Sequence, residues 1–181
     1  MKMQLVIVCA LIGFVALANG TATYRDAMGR NQGSSSTSGN RTTYRDAQGR
    51  LQGTAQTSSS GTTYRDASGR LQGSSRTDTS GRTTYRDSMG RLQGTATTDS
   101  SGRVTFRDAQ GRLQGSSRTD TTGHTTYRDS MGRLQGTATT DSAGRVTFRD
   151  AQGRLQGTAT TDSSGRVTYR DAQGRLQGTK K

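Results

Sequence analysis

An all-β fold made of tandem repeats is predicted by three features of this sequence. A unit of 20 or 21 residues recurs eight times, apolar and polar residues alternate within it, and each unit carries two glycine-centred turn signals. The marker of the unit is Tyr24-Arg25-Asp26, which returns at Tyr44, Tyr64, Tyr85, Phe106, Tyr127, Phe148 and Tyr169. Every aromatic residue beyond the first twenty sits at this one position. Three residues after each Asp comes Gly-Arg, followed by Leu-Gln-Gly in seven units and Asn31-Gln32-Gly33 in the first. Such self-similarity means that each unit leans on its neighbours rather than on a common core. A longer duplication overlies it: residues 74–115 and 116–157 differ only at Ser80/Thr122, Arg82/His124 and Ser101/Ala143.

Taken in order, the first element is residues 1–20. One lysine, Lys2, precedes an apolar run from Leu5 to Ala18, and small residues end it at Ala18-Asn19-Gly20. The run is shorter than the ~20 residues of a bilayer-spanning helix. A secretory signal peptide is therefore expected, with residues 21–181 as the mature repeat region and no membrane span within it. Cys9 lies inside the apolar run behind Val8, a poor lipoprotein site, so cleavage would leave a mature chain without cysteine. Disulfide staples are then unavailable to it.

Within a unit, Val167-Thr168-Tyr169-Arg170-Asp171 reads as a strand with Val and Tyr on one face and Thr and Arg on the other. Ala172-Gln173-Gly174-Arg175 is a tight turn with Gly at positive φ. The return segment, Leu155-Gln156-Gly157-Thr158-Ala159-Thr160 in the preceding unit, alternates again: Leu, Gly and Ala are expected on one face, Gln and Thr on the other. Asp162-Ser163-Ser164-Gly165 closes the second turn. Two architectures satisfy this pattern. One is a coiling antiparallel meander of about sixteen strands; the other is a β-solenoid with one coil per unit, stacked ~4.8 Å apart. In either, Tyr24, Tyr44, Tyr64, Tyr85, Phe106, Tyr127, Phe148 and Tyr169 are expected to form the repeat core. Leu, Ile, Val and Phe number 12 of the 161 residues beyond residue 20, below the ~20% at which disorder becomes the default. An enzyme-like globular core is excluded, and a disordered mature chain stands as the alternative to both β architectures, since ordering costs about 1–2 kcal/mol per residue.

At Tyr-x-Asp-x-x-Gly-Arg-Leu the units resemble the YD repeats of bacterial Rhs proteins, wall-associated proteins and teneurins, over all eight units from Thr21 to Lys181. One departure runs throughout: Arg25, Arg45, Arg65, Arg86, Arg107, Arg128, Arg149 and Arg170 stand where the second aromatic is expected. The resemblance implies a coiling antiparallel sheet, surface display, and carbohydrate binding or encapsulation. The Rhs core and toxic tail have no counterpart, and eight units are too few to enclose a cargo. In layout the chain is also similar to curli-type fibre subunits, with a signal peptide and tandem strand–turn–strand units, but without their paired Gln and Asn ladders.

The chemistry offered is that of a binding or structural protein. His124 occupies the place of Arg82 in the preceding block, which marks a replaceable surface position rather than a catalytic base. No thiol is available beyond residue 9 for a nucleophile or a zinc site. The recurrent Asp suits backbone hydrogen bonding or pairing with Arg; it lacks the dense acidic spacing of a calcium ladder. No enzyme, cofactor or metal is expected. Lys and Arg number 26 against 13 acidic residues, a net charge of +13. The two Arg rows are expected to differ, the one beside Asp neutralised, and Arg50, Arg70, Arg91, Arg112, Arg133, Arg154 and Arg175 left to hold a polyanion such as acidic polysaccharide, lipopolysaccharide or nucleic acid. The functional expectation is a secreted, non-enzymatic structural protein that self-associates into extracellular fibres or mediates adhesion. The alternatives are polyanion binding and, more remotely, ice binding through the Thr runs at 137–140 and 158–161, which Ser74–Arg76 and Ser116–Arg118 interrupt. Asn40-Arg41-Thr42 is a glycosylation triplet if the secretory route is eukaryotic.

Overall fold

The computed structural model describes residues 20–181; the apolar run expected to act as a signal peptide, with Cys9, lies outside them. Each unit supplies two strands. In chain order they are β1 (Gly20–Asp26), β2 (Asn31–Ser38), β3 (Arg41–Asp46), β4 (Leu51–Ser58), β5 (Gly61–Asp66), β6 (Leu71–Thr77), β7 (Arg82–Asp87) and β8 (Leu92–Thr98). The second half repeats the pattern as β9 (Arg103–Asp108), β10 (Leu113–Thr119), β11 (His124–Asp129), β12 (Leu134–Thr140), β13 (Val146–Asp150), β14 (Leu155–Thr161), β15 (Val167–Asp171) and β16 (Leu176–Lys180). Each strand pairs antiparallel with the next, and β1 pairs with β16, so the sheet closes into a sixteen-stranded barrel.

The same turn recurs at both ends, except that two-residue loops at Gly39-Asn40 and Ser59-Ser60 join β2 to β3 and β4 to β5. At Asp108-Ala-Gln-Gly-Arg112 the Gly111 N–H donates to the Asp108 carbonyl and the Asp108 N–H to the Arg112 carbonyl, both at 3.0 Å. Asp99-Ser-Ser-Gly-Arg103 at the opposite end repeats this at 3.0 and 2.9 Å. Gly111 and Gly102 take φ of 80° and 75°, the left-handed conformation that ends a tight hairpin loop. Turns this short join only antiparallel neighbours. That is why the chain forms a meander and the solenoid expectation is corrected: units pair side by side within one sheet instead of stacking coil on coil. The eight units close on themselves.

The closing seam has the register of every other junction between units. Gly157 faces Phe148 on one side and Asp171 on the other; Gly178 likewise faces Tyr169 and, across the seam, Asp26. The barrel is thus an eight-fold ring in which equivalent residues lie at equal height. Stepping from Tyr169 through Gly178 to Asp26 advances the register by two residues per unit, sixteen over eight units. Equal strand number and stagger give a strand tilt of about 35° and a backbone diameter of about 30 Å, with a lumen that side chains do not fill.

One irregularity recurs in each unit and corrects the expected face of leucine. Phe148 pairs with Gly157, but Arg149 pairs with Leu155, so Gln156 is the extra residue of a bulge. Leu155 therefore shares the face of Arg149 and Thr158, while Gly157 and Ala159 share that of Phe148. The Gly is required by close approach. A Cβ at Gly94 would lie 2.5 Å from the Arg107 carbonyl oxygen of the next strand.

The coupling between neighbouring phenols accords with the aromatics lying on the concave face. Side chains on the outside of a closed sheet diverge and those inside converge. Tyr85 has its pKa raised by burial and by Tyr64, and Tyr169 by burial and by Tyr24. Each pair stands two strands apart, so their phenols converge across the lumen wall. The packing beneath differs from the expected core of rings. Ala138 and Ala159 are 6% and 7% exposed, whereas Phe148, whose strand they flank, is 37% exposed. The buried residues are small ones on both faces, Ala138 and Ala159 beside the rings and Thr95, Ser116 and Thr158 on the arginine face, while the rings stay partly open.

Candidate functional site

The Asp that ends each Tyr/Phe-Arg-Asp accepts four hydrogen bonds in seven units and three at Asp66. At Asp171, Oδ1 accepts the N–H groups of Gln173 and Arg175 at 3.0 and 2.9 Å; Oδ2 accepts Arg175 Nε at 2.8 Å and Gln177 Nε2 at 3.1 Å. The bulge explains the last contact, because it releases Gln177 from the strand alternation. The same ion pair joins Arg30, Arg50, Arg91, Arg112, Arg133 and Arg154 to Asp26, Asp46, Asp87, Asp108, Asp129 and Asp150 at 2.7–2.9 Å. Arg70 meets Asp66 through its backbone N–H at 2.9 Å. The carboxyls respond as expected: at Asp87 the Arg91 guanidinium leads in lowering the pKa, and at Asp171 burial works to raise it but is outweighed by Arg175.

This reverses the expected allocation of charge. Arg50, Arg91, Arg112, Arg133, Arg154 and Arg175, expected to be the uncompensated row, are the ones paired with Asp. The arginine beside Asp in sequence points to the opposite face of its strand and cannot reach that carboxylate. Arg25, Arg45, Arg65, Arg86, Arg107, Arg128, Arg149 and Arg170 instead each donate from Nη1 to the carbonyl of their own turn glycine at 2.7–2.9 Å. One of five guanidinium donors is used in each such contact. Eight-fold repetition places these arginines as a belt on the convex face, beside Leu and among Thr and Ser. Strand alternation together with the i,i+4 return across the turn would have found this belt in the sequence.

The belt is doubled in two places. Ser74 pairs with Arg86 and Arg76 with Thr84, and Ser74, Arg76, Thr84 and Arg86 line one surface recess with Asp78. Ser116, Arg118, Thr126 and Arg128 repeat the register on β10 and β11. The Ser-Ser-Arg segments that interrupt the Thr runs thus add a second cation beside the first.

At the opposite end, Asp99 Oδ1 accepts from Ser101 N, Arg103 N and Ser101 Oγ at 2.9, 3.0 and 2.7 Å. His124 starts β11, with its Nδ1 2.9 Å from Thr139 Oγ1 on β12. On the concave side the rings of Tyr24, Tyr44, Tyr64, Tyr85, Phe106, Tyr127, Phe148 and Tyr169 form one ring of eight, as the register dictates.

No family model matches this chain, and no curated protein matches it either. Among solved structures, the chain is similar to BamB from Moraxella catarrhalis, at a TM-score of 0.47 and 12% identity over 82% of this chain and 81% of that one. It is also similar to BBS1N, solved in complex with ARL6DN, at a TM-score of 0.38 and 8% identity over 81% and 74% of the two chains.

Proposed function

We propose that this protein is a secreted, non-enzymatic ring that binds polyanions on its convex face. The observation that carries this reading is the belt of eight arginines whose guanidinium contact is a turn carbonyl instead of a carboxylate. Charge +13 supplies general attraction; the belt gives it a repeating address, densest at Arg76/Arg86 and Arg118/Arg128. The arginines paired with Asp at the rim contribute less because their charge is locally balanced. Strands of five to eight residues fall short of the ~9–11 that cross a bilayer, which supports a water-filled setting on both faces. Fibre formation by strand addition has no sheet edge to extend once β1 meets β16. Curvature removes the flat array that ice binding requires.

The test is binding of heparin and of mixed-sequence duplex DNA across a salt series. Replacing Arg76, Arg86, Arg118 and Arg128 with Gln should weaken both at least ten-fold and flatten the dependence on log salt. The same number of substitutions at Arg91, Arg112, Arg133 and Arg154 should cost less than three-fold. Equal losses from the two sets would reduce binding to net charge and overturn the belt.

Self-association is the second reading. It is favoured by Met28, Met89 and Met131, which stand 76–78% exposed on the turns of one rim. Sedimentation at two concentrations, repeated with all three changed to Gln, tests it: loss of a concentration-dependent larger species supports rim-to-rim contact, and a single unchanged species at both concentrations rules it out.

A further inference from the structure

We infer that the lumen is a second binding surface, selective for alkylammonium groups seated on its ring of aromatic faces. The seam shows the arrangement within the chain itself. Lys180 on β16 pairs with Tyr24 on β1, and its ammonium stands 6.0 Å from the centre of that ring, the range in which a cation is attracted to a ring face.

The position of Lys180 has seven equivalents. Ser35, Ala55, Ser75, Ala96, Ser117, Ala138 and Ala159 face Tyr44, Tyr64, Tyr85, Phe106, Tyr127, Phe148 and Tyr169 in the same register. Side chains of one or two heavy atoms cannot carry a charge to the ring as lysine does. The rings there keep an accessible face: Tyr64, Phe106 and Phe148 are 41%, 39% and 37% exposed. Between Phe148 and Tyr169 the wall forms an open recess over Gly157, edged by Gln156, Thr158, Arg170, Asp171 and Gln177. Apolar faces with a few polar groups at the margin are the usual make-up of a small-ligand site.

Charge is distributed unequally between the two faces. The eight arginines of the belt lie on the convex face, and the charged residues that the strands place on the concave face are the rim aspartates and Lys180. A cation in the lumen meets π faces, the rim carboxylates being already paired with their turn arginines, while a polyanion meets the arginine belt outside. A single site of this exposure should bind weakly, with dissociation constants on the order of millimolar, and a linear polyamine reaching several rings should bind more tightly through effective concentration.

The experiment is an NMR titration of the aromatic resonances of the full mature chain with tetramethylammonium chloride at fixed ionic strength. Neopentyl alcohol serves as the uncharged counterpart of similar shape, and spermidine as the multivalent amine. Saturable ring shifts with tetramethylammonium, at least five-fold weaker with the alcohol, are expected. Spermidine binding ten-fold tighter than tetramethylammonium identifies the multivalent source; equal affinity identifies a single ammonium head. Phe106→Leu with Phe148→Leu should remove sites while keeping apolar volume, and Lys180→Ala should make Tyr24 responsive where it was not. Equal response to the alcohol, or no saturable shift in a chain whose circular dichroism is intact, overturns the inference.

Discussion

Removing one complete unit, Val146–Arg166, tests closure most sharply. The deletion takes out β13 and β14 with both their turns and joins Arg145 to Val167, reproducing the Gly-Arg-Val sequence of the parent. Strand number then falls from sixteen to fourteen, and the stagger, two residues per unit, falls in the same proportion. Tilt depends on their ratio, so it stays at about 35°, while the backbone diameter contracts from about 30 Å to about 26 Å. Each strand must turn about 26° relative to its neighbour around the ring instead of about 23°, a small increase in curvature. The shortened chain should therefore fold, with unchanged β circular dichroism per residue and a smaller radius of gyration by X-ray scattering. Removing a single strand and turn, residues 155–165, is the contrasting case. An odd number of strands would bring the two ends together parallel, so this chain should stay open and aggregate through its edges. A folded, compact product from the single-strand deletion, or loss of β signal from the whole-unit deletion, would refute the ring as described.

Three further outcomes follow from local geometry. Gly94→Ala forces a Cβ against the Arg107 carbonyl and should cost about 1–3 kcal/mol, lowering the thermal midpoint by roughly 3–10 °C. Phe148→Ala uncovers Ala159 and should cost about 1–3 kcal/mol, whereas Phe148→Tyr should be nearly silent by the same denaturation assay, since Tyr fills this position in six units. Stability should also depend on pH in a defined sense. The carboxyls of Asp26, Asp87, Asp129 and Asp171 are lowered from 3.8 in the fold, so their contribution is complete above that value and is lost as pH falls below it through the lowered folded value. Tyr85, Tyr127 and Tyr169 are raised from 10.0, so stability should fall again above pH 10. A midpoint flat from pH 2 to 5 would contradict the turn network.

The local grammar of this fold was legible in its sequence. Period, strand pairs and both turns can be read from Tyr-Arg-Asp and Asp-x-x-Gly, because alternation and positive φ act within a few residues. The face of Leu155 was not, because a bulge at Gln156 shifts the alternation and leaves no mark in composition. The Asp partner follows from local geometry: neighbours on a strand face apart, while Asp171 and Arg175 meet across the turn. Size alone predicts the rings as the buried layer, since they are the largest apolar groups. A single curved sheet has nothing to set upon them, so they lie beside Ala and Gly and remain half open. Closure was the least legible feature, since it depends on a curvature summed over all eight units.

The seam has a kinetic consequence. Every pairing except β1 with β16 joins strands that are adjacent in the chain, so fifteen of the sixteen ladders can zip from any starting turn without waiting for distant segments. The last ladder is different: it must bring together ends separated by the whole described chain, an entropic cost that grows only logarithmically with length. Until it forms, the chain is a ribbon with two complementary margins. In dilute solution each ribbon meets its own end first. At high concentration it meets another's, and two chains can then share two seams in a thirty-two-stranded ring with every local contact preserved. Refolding concentration, rather than any residue of the finished barrel, thereby sets how many chains a ring contains.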